Sequence, residues 1–221
     1  MFPIRDTRSS GKLPIFNYAI ILINVLVFLY QSTLPFPDSF IAQFAFIPQN
    51  FALLNPLSYM NVVTSMFLHG GWFHLLSNMW FLHIFGDNIE GSLGHVKYLI
   101  FYLLCGIVAV FAQYAVSSQS IIPLIGASGA ISGVTGAYFA LFKHAKIQAI
   151  VPTLFGFIDI ITLPAWFFLG YWFFLQIFSG VGSLVSIETT SGGVAFFAHI
   201  GGFLAGYVLV RLFVNRNSVY S

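Results

Sequence analysis

The chain has 221 residues, of which 58% are hydrophobic, 19% aromatic and only 6% charged, and its formal net charge is +2. An ordinary soluble domain has about 25% charged residues. The composition therefore excludes such a domain and predicts an integral membrane protein. Cys105 has no second cysteine to pair with, so a disulfide framework and a cysteine metal cluster are excluded as well.

Apolar runs separated by turn residues predict the membrane spans, since a spanning helix takes about 20 apolar residues. Six spans lie near residues 15–31, 72–89, 97–116, 127–142, 164–180 and 193–214. The predicted fold class is all-α: a polytopic membrane protein with a bundle of six transmembrane helices. We expect one membrane domain over residues 1–221 and no separate soluble domain.

The positions of the basic residues predict the orientation of these spans. Lys and Arg occur at Arg5, Arg8, Lys12, Lys97, Lys143, Lys146, Arg211 and Arg216. The opposite loops, roughly 32–71, 117–126 and 181–192, contain neither residue type. The positive-inside rule therefore places both termini in the cytoplasm.

Two connecting segments are unusual. The stretch from Ile147 to Leu163 is apolar but is interrupted by Pro152, Gly156 and Asp159, and we interpret it as a re-entrant or interfacial segment. A seventh span there would bury Asp159 at a cost of several kcal/mol. The first outer loop is long and rich in apolar side chains, which predicts either a packing cap over the bundle or a functional lid.

Polar residues within apolar spans need a partner or a purpose. Ser128 opens span four and His199 lies near the outer end of span six, each roughly 10 Å deep or less. Either residue alone is most simply a packed polar side chain. Together they suggest a nucleophile and its general base.

Small residues at four-residue spacing surround this pair and predict close helix approach: Gly129 with Gly133, and Gly202 with Gly206. No acid is placed to orient the imidazole, because Asp159 and Glu188 belong to connecting segments. We therefore predict a Ser–His dyad that is oriented by packing. The aromatic-rich span five offers no catalytic chemistry and is interpreted as a lipid-facing and packing helix.

Span two supplies candidate donors for an oxyanion. His74 and Asn78 are four residues apart, so they share one helical face near the outer end. The simpler interpretation is that this His and Asn form hydrogen bonds between helices. The nearby Ser–His pair favours instead a role as hydrogen-bond donors to an oxyanion. The backbone N–H of Ser128, in the first turn of its helix, is a further donor.

These residues form an ordered set of motifs on spans two, four and six. The motifs are His69-x4-His74-x3-Asn78, Gly126-Ala127-Ser128-Gly129, Ala198-His199-x-Gly201-Gly202-x3-Gly206, and Gly86-x3-Glu90-x3-Gly94 at the cytoplasmic end of span two. The set resembles the rhomboid intramembrane proteases over roughly residues 60–215. Each motif alone is weak, whereas the combination in this order is specific.

The resemblance implies a role for each matching residue. Ser128 would be the nucleophile, His199 the general base, His74 and Asn78 the oxyanion partners, and His69, Gly86, Glu90, Gly94, Gly126, Gly129, Gly202 and Gly206 structural residues. It also implies cleavage of single-pass membrane proteins near the outer membrane face, without a cofactor or a metal. Span five and the loop after it would form a lateral gate, which is the alternative to a lipid-facing and packing helix. Some family members carry an aromatic residue one turn after the nucleophile that stacks on the base. Here that place is Ser132, which leaves open how His199 is held.

Three other classes of protein share some of these sequence features. A catalytically inactive rhomboid-like binding protein or chaperone would typically lack the serine or the histidine. A small transporter would show an internal repeat, and a metalloprotease an H-E-x-x-H helix, and neither is found. We expect substrate proteins and the lipid bilayer as partners and no nucleic acid, with the oligomeric state open. The absence of a presequence predicts a prokaryotic plasma membrane, with the active site on the extracytoplasmic side.

Overall fold

The computed structural model describes residues 1–8, 10–152, 158–185 and 195–214. The helices are α1 (Ile15–Thr33), α2 (Pro37–Phe44), α3 (Pro56–Thr64), α4 (Trp72–Leu93), α5 (His95–Val116), α6 (Ser128–Phe142), α7 (Ala165–Val185) and α8 (Phe196–Phe213). The strands are β1 (Phe2–Asp6), β2 (Lys146–Pro152) and β3 (Ile158–Pro164). Gly156, Glu188 and Arg216, which entered the predictions, lie outside the described residues.

Six of the helices, α1 and α4 to α8, coincide with the predicted spans. Four of them are long and apolar enough to cross a membrane: α1, α5, α8 and residues Ala165–Ser183 of α7. The apolar helix α6 is shorter, with 15 residues. Helix α4 is as long as α5 but more polar, because it carries His74, Asn78 and Glu90. The described chain is thus mostly helical.

Helices α6 and α8 touch through their backbones, and this contact is central to the bundle. A Cβ atom on Gly202 would lie 2.1 Å from the carbonyl oxygen of Gly129, and one on Gly206 only 1.8 Å from that of Gly133. No larger residue fits at these two places without moving a helix. The close approach predicted from the glycine spacing is therefore confirmed, and it brings the N-terminal turns of both helices together.

The stretch interpreted as a re-entrant or interfacial segment contributes, in its described residues, two strands to a three-stranded antiparallel sheet of order β1-β2-β3. Phe2 pairs with Ile150 across β1 and β2, and Lys146 pairs with Pro164 across β2 and β3. Ile147 and Ala149 of β2 are fully buried against the helices. Pairing with β1 and β3 satisfies the backbone of this apolar segment outside a helix, so the all-α class is corrected to a mostly helical fold with one small sheet.

Several basic residues that are distant in the sequence make hydrogen bonds at the same end of the helix bundle. Lys12 Nζ donates to the Gly91 carbonyl at the end of α4 (2.9 Å), and Lys97 Nζ donates to the Phe213 carbonyl at the end of α8 (3.4 Å). The β1–β2 pairing brings Arg5 beside Gln148 at 2.8 Å. The basic residues named here therefore share one end, opposite Ser128 and His199.

The first outer loop packs over that opposite end. It contains α2, α3 and two short 3-10 turns (Pro48–Asn50 and Ser65–Phe67). Phe46 is buried and forms a backbone bridge with Leu124, while the Ser65 carbonyl accepts a hydrogen bond from Gly126 N at 2.9 Å. The loop therefore packs on the bundle and holds the segment that leads into α6. The choice between a packing cap and a functional lid stays a prediction.

Candidate active site

Ser128 and His199 meet between the first turns of α6 and α8. The Ser128 Oγ lies 2.8 Å from His199 Nε2, which is hydrogen-bonding distance. The glycine contact between the two helices sets this distance, because it leaves no side chain between the backbones. The two residues that sequence analysis placed at the same depth are thus brought together, with the serine oxygen facing an imidazole nitrogen.

The other imidazole nitrogen has a partner that sequence analysis missed. Gln176 Oε1 of α7 lies 2.7 Å from His199 Nδ1. Trp172, one turn earlier on the same helix, has its ring centroid 5.8 Å from that of His199. Sequence analysis assigned span five to packing and lipid contact and did not predict this contact with His199. The signal was present in the sequence, since Gln176 is an amide side chain in a mostly apolar helix.

Ser132 occupies the place where some rhomboid proteases carry an aromatic residue. Its hydroxyl donates to the backbone carbonyl of Ser128 at 2.6 Å and so remains on its own helix. The ring that lies beside His199 comes from Trp172 on α7 instead. This arrangement answers how the imidazole is held when position 132 is a serine.

His74, Asn78 and His69 form a polar group beside this pair. Asn78 Nδ2 lies 3.1 Å from His69 Nε2, and the His69 carbonyl accepts a hydrogen bond from Gln31 Nε2 at 2.8 Å. His74 Nδ1 accepts from the Gly70 amide at 3.4 Å. A neutral imidazole that accepts at Nδ1 carries its proton at Nε2, so His74 presents an N–H towards Gly126.

Gly126 lies two residues before Ser128 and has a backbone conformation that favours glycine, with φ of 113°. A Cβ at this position would lie 2.6 Å from His74 Nε2 and 3.6 Å from Asn78 Nδ2. Because no side chain intervenes, the side-chain nitrogen atoms of His74 and Asn78 lie close to the turn that precedes Ser128.

A cavity of about 190 Å³ opens beside the pair. Its polar lining includes Asn78, Ser128 and His199, and its remaining walls come from the side chains Ser77, Phe81, Ile131, Ser132, Thr135 and Trp172 of α4, α6 and α7. A small side chain of a bound polypeptide fits a space of this size. Ser128 and His199 therefore both line a space that is large enough for a small side chain.

The structural motif predicted at the end of α4 makes identifiable contacts. The Glu90 carboxylate accepts hydrogen bonds from the backbone amides of Phe16 (3.0 Å) and Asn17 (2.7 Å), and it also contacts His95 Nδ1. Gly86 leaves room for the Asn17 side chain, and Gly94 has a φ of 81° between α4 and α5. These residues join helices far from Ser128.

Across residues 1–8, 10–152, 158–185 and 195–214, no group of three or more His, Cys, Asp or Glu side chains is arranged to hold a metal ion. The three histidines near Ser128 are instead engaged with serine, amide and backbone partners. The polar groups that these contacts bring together are a hydroxyl, imidazoles and amides.

The helices identify this chain as an integral membrane protein. At least four of them are long and apolar enough to span a bilayer. A family model for the rhomboid domain matches residues 56–216. The chain belongs to the rhomboid family.

Relatives of this chain include rhomboid proteins from plants, fungi and bacteria. It is 29% identical over 155 residues to RHOMBOID-like protein 6, mitochondrial, of Arabidopsis thaliana, covering 67% of this chain and 41% of the relative. It is 29% identical over 211 residues to Rhomboid protein 1, mitochondrial, of Saccharomyces cerevisiae, covering 90% and 53%. It is 29% identical over 201 residues to Rhomboid protease GluP of Bacillus subtilis, covering 90% and 34%. The chain thus spans about a third to a half of the length of these relatives.

The names of the relatives correct the predicted location. Rhomboid relatives in Arabidopsis thaliana and Saccharomyces cerevisiae are mitochondrial or chloroplastic, and they point to an organellar membrane. The prediction of a prokaryotic plasma membrane is therefore wrong. It relied on the absence of a presequence, and such an absence carries no information about the compartment.

Proposed function

We propose that this protein is an intramembrane serine endopeptidase that cleaves the transmembrane segments of single-pass membrane proteins. The observation that carries the proposal is the 2.8 Å contact between Ser128 Oγ and His199 Nε2 in the first turns of two membrane helices. An imidazole nitrogen at this distance can remove the hydroxyl proton as the oxygen attacks a peptide carbonyl. Ser128 is the nucleophile and His199 the general base.

The proton and the charge then follow the route common to serine proteases. His199 takes the proton of Ser128 as the new carbon–oxygen bond forms, and it gives a proton to the leaving amine when the peptide bond breaks. Water hydrolyses the resulting ester by the same two steps. The cavity beside Ser128 is where the carbonyl to be attacked would lie.

The negative charge on the attacked carbonyl oxygen needs preorganised donors, because a membrane interior does not solvate it. We assign this role to the Nε2–H of His74, the side-chain amide of Asn78 and the backbone N–H of Ser128. Support comes from the closeness of His74 and Asn78 to the Gly126 turn. His69 would orient Asn78 through their 3.1 Å contact.

We further propose that the chain forms one domain, with its core over about residues 60–215 and six membrane-spanning helices: α1 and α4 to α8. The segments before α1 and after α8 would then lie on the same side of the membrane, the side that carries the basic residues. The contacts of Lys12 and Lys97 with the ends of α4 and α8 support a common side. Ser128 would open towards the opposite face, and an organellar membrane is the proposed setting.

The test is cleavage by purified protein in detergent of a single-pass substrate whose transmembrane segment carries Gly, Ala and Pro near one face. We expect Ser128→Ala and His199→Ala each to reduce kcat/KM by at least about 1,000-fold, because each removes one partner of the proton transfer. Ser92→Ala and His83→Ala are the matched controls. Ser92 lies near the far end of α4 and His83 on its exposed side.

Each result of this assay has a definite meaning. Wild-type cleavage that the controls retain and both site variants lose supports the Ser–His mechanism. Cleavage that survives in Ser128→Ala would show that another residue is the nucleophile. A wild-type protein that is folded and fails both to cut and to react with a fluorophosphonate would instead support an inactive rhomboid-like binding protein.

A further inference from the structure

The imidazole of His199 is held from both of its nitrogen atoms, by side chains on two different helices. Ser128 Oγ of α6 lies 2.8 Å from Nε2, and Gln176 Oε1 of α7 lies 2.7 Å from Nδ1. These contacts are not independent of each other. If Nε2 is to accept the serine proton, a neutral ring must carry its hydrogen at Nδ1, and that hydrogen then requires an acceptor.

Gln176 provides this acceptor without adding charge. Its amide oxygen accepts from Nδ1–H, while the acidic residues of the described chain near the bundle's ends, such as Glu90 and Asp6, are engaged elsewhere. A carboxylate in the same half-buried place would carry a large desolvation penalty until the imidazole became charged. A neutral amide fixes the direction of the ring and avoids that penalty.

Trp172 restrains the same ring from the same helix. Trp172 and Gln176 are four residues apart on α7, so they lie on one face, and the Trp172 ring is 5.8 Å from the His199 ring with an interplanar angle of 35°. The Ser132 hydroxyl on α6 donates to the Ser128 carbonyl and is therefore not directed at the imidazole. Besides the Ser128 contact, the restraint on His199 therefore comes from α7.

We propose that Gln176 is a positioning residue for His199, which holds the imidazole in the Nδ1–H tautomer so that Nε2 faces Ser128. This inference rests on the proposed function, in which His199 is the base. The site is then a Ser–His–Gln arrangement spread over α6, α8 and α7. It also makes the reactivity of Ser128 depend on the position of α7 relative to α8.

The experiment measures the rate at which a fluorophosphonate labels Ser128 in purified protein, as a function of pH. This small probe reports the activation of the serine and does not depend on how a transmembrane substrate enters. Two variants are compared with wild type: Gln176→Met, which keeps the size of the side chain and removes the acceptor, and Gln176→Glu, which keeps an acceptor and adds a charge. His74 of α4 is the other titratable group acting on His199, and it is common to all variants.

We expect Gln176→Met to label about 10-fold more slowly, which is the value of one net hydrogen bond. We expect Gln176→Glu to label well and to move the acid limb of the pH profile to higher pH by about one pH unit or more, because a carboxylate favours the charged imidazolium. The matched control is Gln113→Met. Gln113 of α5 accepts from the Ala198 amide, next to His199, at 3.3 Å, and its replacement should leave the shape of the pH profile unchanged.

Three outcomes would overturn the proposal. If Gln176→Met labels as fast as wild type, the amide oxygen does not position the base. If Gln176→Met fails to fold, the Gln176→Glu profile decides alone, and an unmoved acid limb contradicts the inference. If wild-type Ser128 is not labelled at all, the proposed function fails first, and the inference fails with it.

Discussion

The buried side chain of Glu90 caps the N-terminus of a helix that is distant in the sequence. Helix α1 starts at Ile15 after a proline, without a side-chain cap from its own segment. The Glu90 carboxylate accepts from the Phe16 and Asn17 amides instead. The first amides of a helix have no partner within it, so this carboxylate joins the start of α1 to the end of α4.

Replacing Glu90 tests this contact. We expect Glu90→Ala to lower the free energy of unfolding by about 3 kcal/mol, because two backbone amides lose their acceptor inside the protein. Glu90→Gln keeps an oxygen and should recover more than half of that loss. Unfolding by SDS in mixed micelles measures both values. Asp38→Ala, at an exposed position of α2, is the control, and an equal effect of both Ala variants would contradict the capping role.

At the residue scale, the sequence could predict the positions of Ser128, His199, His74 and Asn78 because each is polar within an apolar span. Helical spacing then places them near one level. Gln176 has the same property, but its contact with His199 escaped the prediction. Only the packing of α7 against α8 decides which polar side chain on α7 faces the imidazole.

At the scale of the elements, the glycine contact between α6 and α8 sets how close the two helices come. Gly206 and Gly133 meet with no side chain between their backbones. We expect Gly206→Ala to lower the free energy of unfolding by about 1–3 kcal/mol, the typical cost of overpacking. It should also slow cleavage by the assay described above, because separating the helices lengthens the distance from Ser128 to His199.

The matched control for this substitution is Gly182→Ala on α7. A Cβ at Gly182 meets nothing within 4 Å, so this variant should be as stable as wild type or slightly more stable, since alanine favours a helix. Thermal unfolding in detergent compares the two. Equal melting temperatures for Gly206→Ala and Gly182→Ala would show that the backbones can separate without cost.

The sequence predicts the helices well because their signal is local, a run of apolar residues long enough to span. The sheet could not be predicted in the same way. The β2 segment is also an apolar run. It forms a strand because it is hydrogen-bonded to Phe2 and its neighbours, which lie about 140 residues earlier in the sequence. A pairing over such a distance leaves no periodic signal in either segment.

At the scale of the whole molecule, Asp6 ties the sheet to the helix bundle. Its carboxylate accepts from the Tyr138 hydroxyl of α6 and from Asn88 Nδ2 of α4. Burial is the main reason that the pKa of Asp6 rises from 3.8 to about 6, and the nearby Asp87 adds to the rise while the Tyr138 hydrogen bond opposes it. In the folded protein Asp6 therefore holds its proton more tightly than in the unfolded chain.

The sign of the pH dependence follows from this raised pKa. Between pH 3.8 and about pH 6 the folded state binds more protons at Asp6 than the unfolded state, so the stability that Asp6 contributes is present at low pH and is lost as the pH rises through this window. We expect the melting temperature of Asp6→Asn, relative to wild type, to increase from pH 4 to pH 6 and then to level off.

Thermal unfolding in detergent at several pH values measures this difference. The control is Asp159→Asn, which removes an exposed carboxylate from the same sheet. Its melting temperature relative to wild type should vary less over the window. A constant difference between Asp6→Asn and wild type from pH 4 to pH 7 would contradict the assigned role of burial.

The register of the sheet also has a consequence for the order in which the protein is assembled during translation. Phe2 pairs with Ile150, so the ribosome must add about 150 residues after β1 before its partner exists, which takes roughly 7–30 s at synthesis rates of about 5–20 residues per second. Helices α1, α4, α5 and α6 are all synthesised within that interval. Strand β1 therefore waits for its partner until the segment that carries Ser128 has been synthesised.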